Sequence, residues 1–124
     1  MAKVSKDSAQ HDDYGPVESW HEEVDGHAIE FVLFKQDIDS TPMLKGLPND
    51  QCHCPHWGYV LNGKVTFTID GLEEVHGPGD AFFIPPGHLQ RAEAGTEYVQ
   101  FSPAKEMAEV EQQIMKNMQA MQAG

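Results

Sequence analysis

Cys52, Cys54 and His56 alternate within five residues, with His53 and Pro55 between them. Thiols and imidazoles at that density are soft sulfur-and-nitrogen donors, a set that suits zinc first, with iron or copper as alternatives. In an extended strand, residues at i, i+2 and i+4 share a face, so these three would point one way and His53 and Pro55 the other. At about 3.3 Å per residue, Cys52 and His56 would stand roughly 13 Å apart. Bonds of about 2.0 to 2.3 Å cannot bridge that gap from one ion. Cys54 and His56 are therefore the first expected ligands, and Cys52 joins them only through a bend, which Pro55 favours by removing a ladder donor.

Other chemistries compete for the same residues. Cys54 beside His56 could act as a nucleophile, although a second thiol two residues away invites metal or oxidation instead. A metal-free core is the third reading, with the cysteines as small buried apolar groups and the histidines hydrogen-bonded. His11, His21, His27 and His76 have no ligand-type neighbours in sequence and are expected at the surface. Trp57 is expected to pack in the core. No glycine-rich phosphate loop is present.

The chain has 124 residues, enough for one core. Its formal net charge is −12, from 20 acidic against 8 basic side chains. Such a surface repels phosphate backbones and anionic lipid, which argues against nucleic-acid and membrane partners. No apolar run reaches the roughly 20 residues of a membrane helix, and the first residues lack the apolar core of a secretory signal. A disulfide between Cys52 and Cys54 would be strained, so two free thiols or metal ligands in the cytoplasm are expected.

Eleven glycines and eight prolines punctuate the chain into short strands. Residues 1–15 are polar and aperiodic and are expected to form a flexible arm. Residues 16–102 form the barrel in this reading. His27 to Phe34 reads as a strand, and Tyr59-Val60-Leu61 with 64–69 reads as a hairpin about Asn62-Gly63. Asp70-Gly71 gives a second turn, 81–84 a strand stopped by Pro85-Pro86-Gly87, and 97–101 a last strand. Residues 103–124 change period: Met107, Val110, Ile114, Met118 and Met121 form a helical stripe, with Ser102 as N-cap and Pro103 at the first position. That stripe should dock on the barrel or a second subunit; a methionine-lined ligand groove is the competing reading.

Two stretches resemble the paired motifs of the cupin superfamily. Gly79-Asp80-Ala81-Phe82-Phe83-Ile84-Pro85-Pro86-Gly87 fits its glycine, five residues, proline, any residue, glycine. Tyr59-Val60-Leu61-Asn62-Gly63 fits the strand and turn glycine that end the first motif, with the fifteen residues 64–78 between Gly63 and Gly79. The resemblance covers roughly residues 28–101 and implies an all-β fold, the cupin double-stranded β-helix or jelly-roll barrel, here with a C-terminal α-helix. The ligand pattern departs from the family. Cys52 and Cys54 fall on its His-x-His pair, His56 on its glutamate, and Gln90 on its last histidine, with the segment shortened by two residues. The chain is similar in this respect to small cupins carrying a Cys-x-Cys-Pro-His-Trp run.

On that frame His88, just past the Pro-Pro-Gly corner, is the expected distant ligand, and Gln90 on the same face would orient substrate or cofactor. The expected site is thus Cys52, Cys54, His56 and His88 around a divalent transition metal, with a small molecule in the barrel. Whether it catalyses, or is a non-enzymatic metabolite- or metal-sensing module, stays open. The resemblance also implies a homodimer paired through its sheets.

Overall fold

A computed structural model describes residues 3–123. The strands are β1 (Gln10–Asp13), β2 (Val17–Val24), β3 (His27–Phe34), β4 (Ile38–Asp39), β5 (His56–Asn62), β6 (Val65–Ile69), β7 (Leu72–His76), β8 (Ala81–Ile84), β9 (His88–Ala92) and β10 (Glu97–Pro103), followed by the helix α1 (Ala104–Ala123). They form two antiparallel sheets, one of order β1-β2-β3-β10-β5-β8 and one of order β4-β9-β6-β7. Val32, Phe34, Val60, Phe82, Ile84 and Tyr98 from the first sheet interlock with Val65, Phe67 and Ala92 from the second. This is a jelly-roll barrel with a C-terminal helix.

Local turn chemistry explains several connections. Asp25-Gly26 and Asp70-Gly71 are two-residue turns with positive φ at both positions (51° and 78°; 52° and 76°). They join β2 to β3 and β6 to β7 in register, as type I′ hairpins require. Asn62-Gly63 differs from its sequence signal: β5 and β6 do not pair but enter opposite sheets. The corner is held by Thr96, which is fully buried. Its Oγ1 accepts from the Lys64 N–H at 3.0 Å and donates to the Lys64 carbonyl at 2.9 Å. A Cβ on Gly63 would lie 2.5 Å from Thr96 Cα, so the close approach needs glycine.

Residues 10–13, expected within the arm, form β1 and pair with β2 through Gln10↔His21 to Asp13↔Glu18. Trp20 of β2 lies under the His11 ring, with centroids 4.9 Å apart. His76, expected at the surface, packs against Phe67 and Phe82.

Helix α1 starts at Ala104, because β10 continues through Pro103. Ser102 is therefore a strand residue, and its hydroxyl is engaged elsewhere. The stripe divides along its length. Met107 and Val110 are buried with Leu44, Leu47, Cys52 and Cys54, each burial being worth about 1.5 to 3 kcal/mol. Ile114, Met115 and Met118 line a cavity inside the barrel mouth, and Met121 is exposed. Asn117 fixes the middle of the helix by donating to the carbonyls of Met43 and Lys45 at 2.6 and 2.8 Å.

Candidate metal centre and cavity

The segment 52–56 is not a strand. Only Cys52 is paired, through an isolated antiparallel bridge to His88, and residues 53–55 are irregular before β5 begins at His56. The bridge is a backbone clamp. Cys52 N–H donates to the His88 carbonyl at 2.9 Å, while the Gly87 and His88 N–H groups donate to the Cys52 carbonyl at 2.8 and 3.2 Å. It places Cys52 beside the Pro-Pro-Gly corner, and the turn over 53–55 brings His56 back towards Cys52.

Cys52, His56 and His88 each offer one ligand atom, and these atoms all lie within 4.8 Å of one another. Cys52 Sγ is 3.5 Å from His56 Nε2. The two imidazoles meet edge to face at a centroid distance of 5.0 Å. All three residues are buried. Donor atoms around one four-coordinate zinc stand roughly 3.5 Å apart, so the triad fits such an ion in both spacing and chemistry.

The outer nitrogens are tied down in the manner of metal-binding histidines. His88 Nδ1 lies 2.9 Å from the Pro85 carbonyl; a carbonyl only accepts, so Nδ1 carries the proton and Nε2 keeps its lone pair. His56 Nδ1 is 2.7 Å from Ser102 Oγ, the partner that leaves its Nε2 facing Cys52. Without a metal, burial pushes the Cys52 thiol up to about 11. Burial, and secondarily His88, holds His56 down to about 3. Burial also lowers His88, against the opposing bond to Pro85. Both imidazoles are thus neutral, in the state a metal requires.

The other expected ligand lies elsewhere. Cys54 sits in the apolar contact between barrel and helix with Leu44, Leu47, Met107 and Val110. Its thiol donates towards the Pro55 carbonyl at 3.4 Å, and burial pushes it up to about 12. That protonation state is also wrong for a nucleophile. The ranking of Cys54 before Cys52 rested on a straight strand, which the clamp to His88 replaces. His53 points away from the triad, with Nε2 at 3.2 Å from Glu109 on α1. Gln90 lines the cavity, and its Nε2 donates to the Tyr98 hydroxyl at 3.0 Å.

The triad forms one wall of a cavity of about 390 Å³, also lined by Val32, Phe34, Tyr98 and the cavity face of α1. Sequence reasoning missed Glu30, Ser19, Gln100 and Ser102 here. The signal was available in the alternation of His27 to Phe34, which puts Glu30 on the same face as Val32 and Phe34: an acidic side chain among core residues.

A family model described as "Cupin domain" matches residues 51–98. A search of curated proteins found no match. Among solved structures, an RmlC-like cupin from Shewanella frigidimarina superposes with a TM-score of 0.62 at 18% identity, over 86% of this chain and 94% of that one. The polyketide cyclase RemF from Streptomyces resistomycificus gives 0.58 at 15%, over 84% and 80%. KdgF from a Halomonas species gives 0.56 at 17%, over 83% and 94%. At these identities the likeness establishes the fold.

Proposed function

We propose that the chain is a small cupin, on its match to the cupin-domain model over residues 51–98 and its shared fold, and that it is a zinc-dependent enzyme acting on a small molecule held in the barrel cavity. Cys52, His56 and His88 are its metal ligands in this reading. The carrying observation is the convergence of three buried donors on the wall of a cavity. Three protein ligands leave a coordination position open, the pattern of catalytic rather than structural zinc. When bound, zinc supplies a Lewis acid that polarises an oxygen or lowers the pKa of water. The chain's own residues do the rest. Ser102 and the Pro85 carbonyl orient the two imidazoles, Gln90 and Tyr98 present polar groups to the ligand, and the methionines of α1 exclude water.

Cys54 is assigned a packing role, and Gln90 the role of orienting substrate. One structural relative is named a polyketide cyclase, which accords with chemistry on a small organic molecule. Nucleic acid is not a partner in this proposal, given the net charge of −12. Two free thiols suit the reducing cytoplasm. No helix among the described residues is long and apolar enough to cross a membrane. Elemental analysis of untagged protein should return about one zinc per chain. The absence of any stoichiometric transition metal overturns the assignment, whereas iron or copper in its place revises only the metal.

The proposed partner at the other side of the large sheet is a second copy. Trp57, expected in the core, is 48% exposed on the outer face, beside Phe83 at 51% and Phe101 at 42%. Their strands set Phe101 opposite Trp57 and Trp57 opposite Phe83. Ile29, Phe31 and Leu33 of β3 extend the same face. The four strands β3, β10, β5 and β8, about 4.8 Å apart, offer roughly 400 Å², about half of the ~800 Å² per partner of a standard interface. Trp57, Phe83 and Phe101 form the uncharged part of this face, and towards β2 the Lys6–Glu97 ion pair covers Phe31, with Lys6 Nζ 5.8 Å from its ring centroid. Sedimentation should give a dimer for the native chain and a monomer for Trp57→Glu; a monomeric native chain at micromolar concentration excludes this interface.

A further inference from the structure

Besides the triad, the cavity has a second polar centre, at Glu30. Its Oε2 accepts from the Ser19 hydroxyl at 2.6 Å and its Oε1 from Gln100 Nε2 at 2.9 Å. A carboxylate has about four acceptor positions, so roughly half remain for a ligand. Glu30 forms no ion pair among the described residues, and no Lys or Arg lines the cavity. The lining does carry two more carboxylic acids, Asp12 and Glu111. Its other titratable basic group near Glu30 is His21, opposite it on β2, and His21 Nε2 is committed to Asp12 Oδ2 at 2.7 Å. Glu111 faces this region from α1, and burial followed by Glu30 raises its pKa.

The register fixes how Glu30 stands relative to the triad. Glu30 is opposite Gln100, and Ser102, which holds His56, follows two residues along the same face of β10. With two strand spacings of about 4.8 Å across and two residues of about 3.3 Å along, the Glu30 and His56 backbones stand roughly 12 Å apart, and both side chains line the same cavity. The lining also includes apolar groups, Val32 and Phe34 from β3 and Ile114 and Met118 from α1.

Resting on the reading of this cavity as the substrate site, we propose that its ligand is an uncharged or cationic molecule with an apolar body and a hydrogen-bond-donating head, ammonium or hydroxyl, seated on Glu30. Carboxylates and phosphates are turned away, because the cavity offers them fixed negative charge and no side-chain cation.

Three probes sharing one apolar body separate the chemistries: 2-phenylethylamine, 2-phenylethanol and phenylacetate, titrated by calorimetry into zinc-free and zinc-loaded protein. In zinc-free protein the amine and the alcohol should bind at least about tenfold more tightly than phenylacetate, a difference of ~1.4 kcal/mol. Glu30→Gln should weaken the amine by a similar factor and narrow the gap. Phenylacetate binding as tightly as the amine, or no binding of any probe at millimolar concentration, overturns the proposal. So does an amine affinity unmoved in Glu30→Gln. Should that variant fail to fold, the ranking of the probes on the native chain still decides. Because that ranking is read without zinc, it is independent of the metal assignment: absence of zinc on purification would remove the proposed reaction and leave this selectivity standing.

Discussion

Alanine at Cys52, His56 or His88 is expected to strip the bound metal, while Cys54→Ala retains it at about one ion per chain. The contrast is large because the four residues look interchangeable in sequence and differ wholly in position. Each of the three converging residues supplies one donor to a set whose atoms lie within 4.8 Å, and two remaining donors no longer make a tight site. Cys54 shares the helix contact with Met107 and Val110 instead, so its loss removes a small buried group and costs about 1 kcal/mol of stability. Ser102→Ala falls between. It frees the His56 ring, whose Nδ1 stands 2.7 Å from the hydroxyl, and loss of such an orienting partner lowers metal affinity by about 10- to 100-fold. Elemental analysis after gel filtration, with chelator competition for Ser102→Ala, reads all five variants. Loss of metal from Cys54→Ala as complete as from Cys52→Ala would place Cys54 in the coordination shell and reject the assignment made from the clamp.

The same contrast shows which information the sequence carries. Motifs whose meaning is local were legible. Gly79 to Gly87 does form β8 and the corner before β9, and Asp70-Gly71 is a hairpin turn because two positive φ values are all that it requires. The helix period of Met107, Val110, Ile114 and Met118 likewise needs no tertiary knowledge. What failed depended on partners far along the chain. Asn62-Gly63 has the same local signature as a hairpin, yet Thr96 ties its corner so that β5 and β6 part into different sheets. Cys52 is pulled to His88 by three backbone hydrogen bonds across 36 residues of sequence, and no strand periodicity anticipates that. Trp57 read as core because aromatic residues usually are, but its strand faces the barrel with His56, Gly58 and Val60 and turns Trp57 outward. Glu30 was visible as an acid in an apolar alternation, and its meaning came only with Ser19 and Gln100 from neighbouring strands.

Metal-free protein is expected to lose stability as pH falls below about 6.5, well before its carboxylates titrate. Burial holds His56 down to about 3 and lowers His88 as well, whereas an unfolded imidazole titrates near 6.5. Below that value the unfolded chain binds protons that the folded chain refuses, so unfolding gains free energy with each added proton. The stability these groups contribute is therefore complete above about pH 6.5 and is lost as pH falls towards 3. For His56 alone the full loss is on the order of 5 kcal/mol, at about 1.36 kcal/mol per pH unit, and His88 adds to it. The thiols play no part, since Cys52 and Cys54 are raised to about 11 and 12 and stay protonated throughout. Paired carboxylates such as Asp13, Glu18 and Glu73 are lowered by their partners and act below about pH 4.5. Between about pH 6.5 and 4.5 the buried histidines dominate the loss, opposed only by Glu111, whose carboxyl burial raises so that it gains stability as pH falls. Urea midpoints of chelator-treated protein should fall steadily across it, and the slope should be shallower in His56→Asn if that variant folds. Midpoints that stay level between pH 7.5 and 5 would mean that both imidazoles accept protons in place, which the buried triad forbids. Zinc-loaded protein should be more stable above this range and fall more steeply through it, because protons must then displace the ion as well as enter the core.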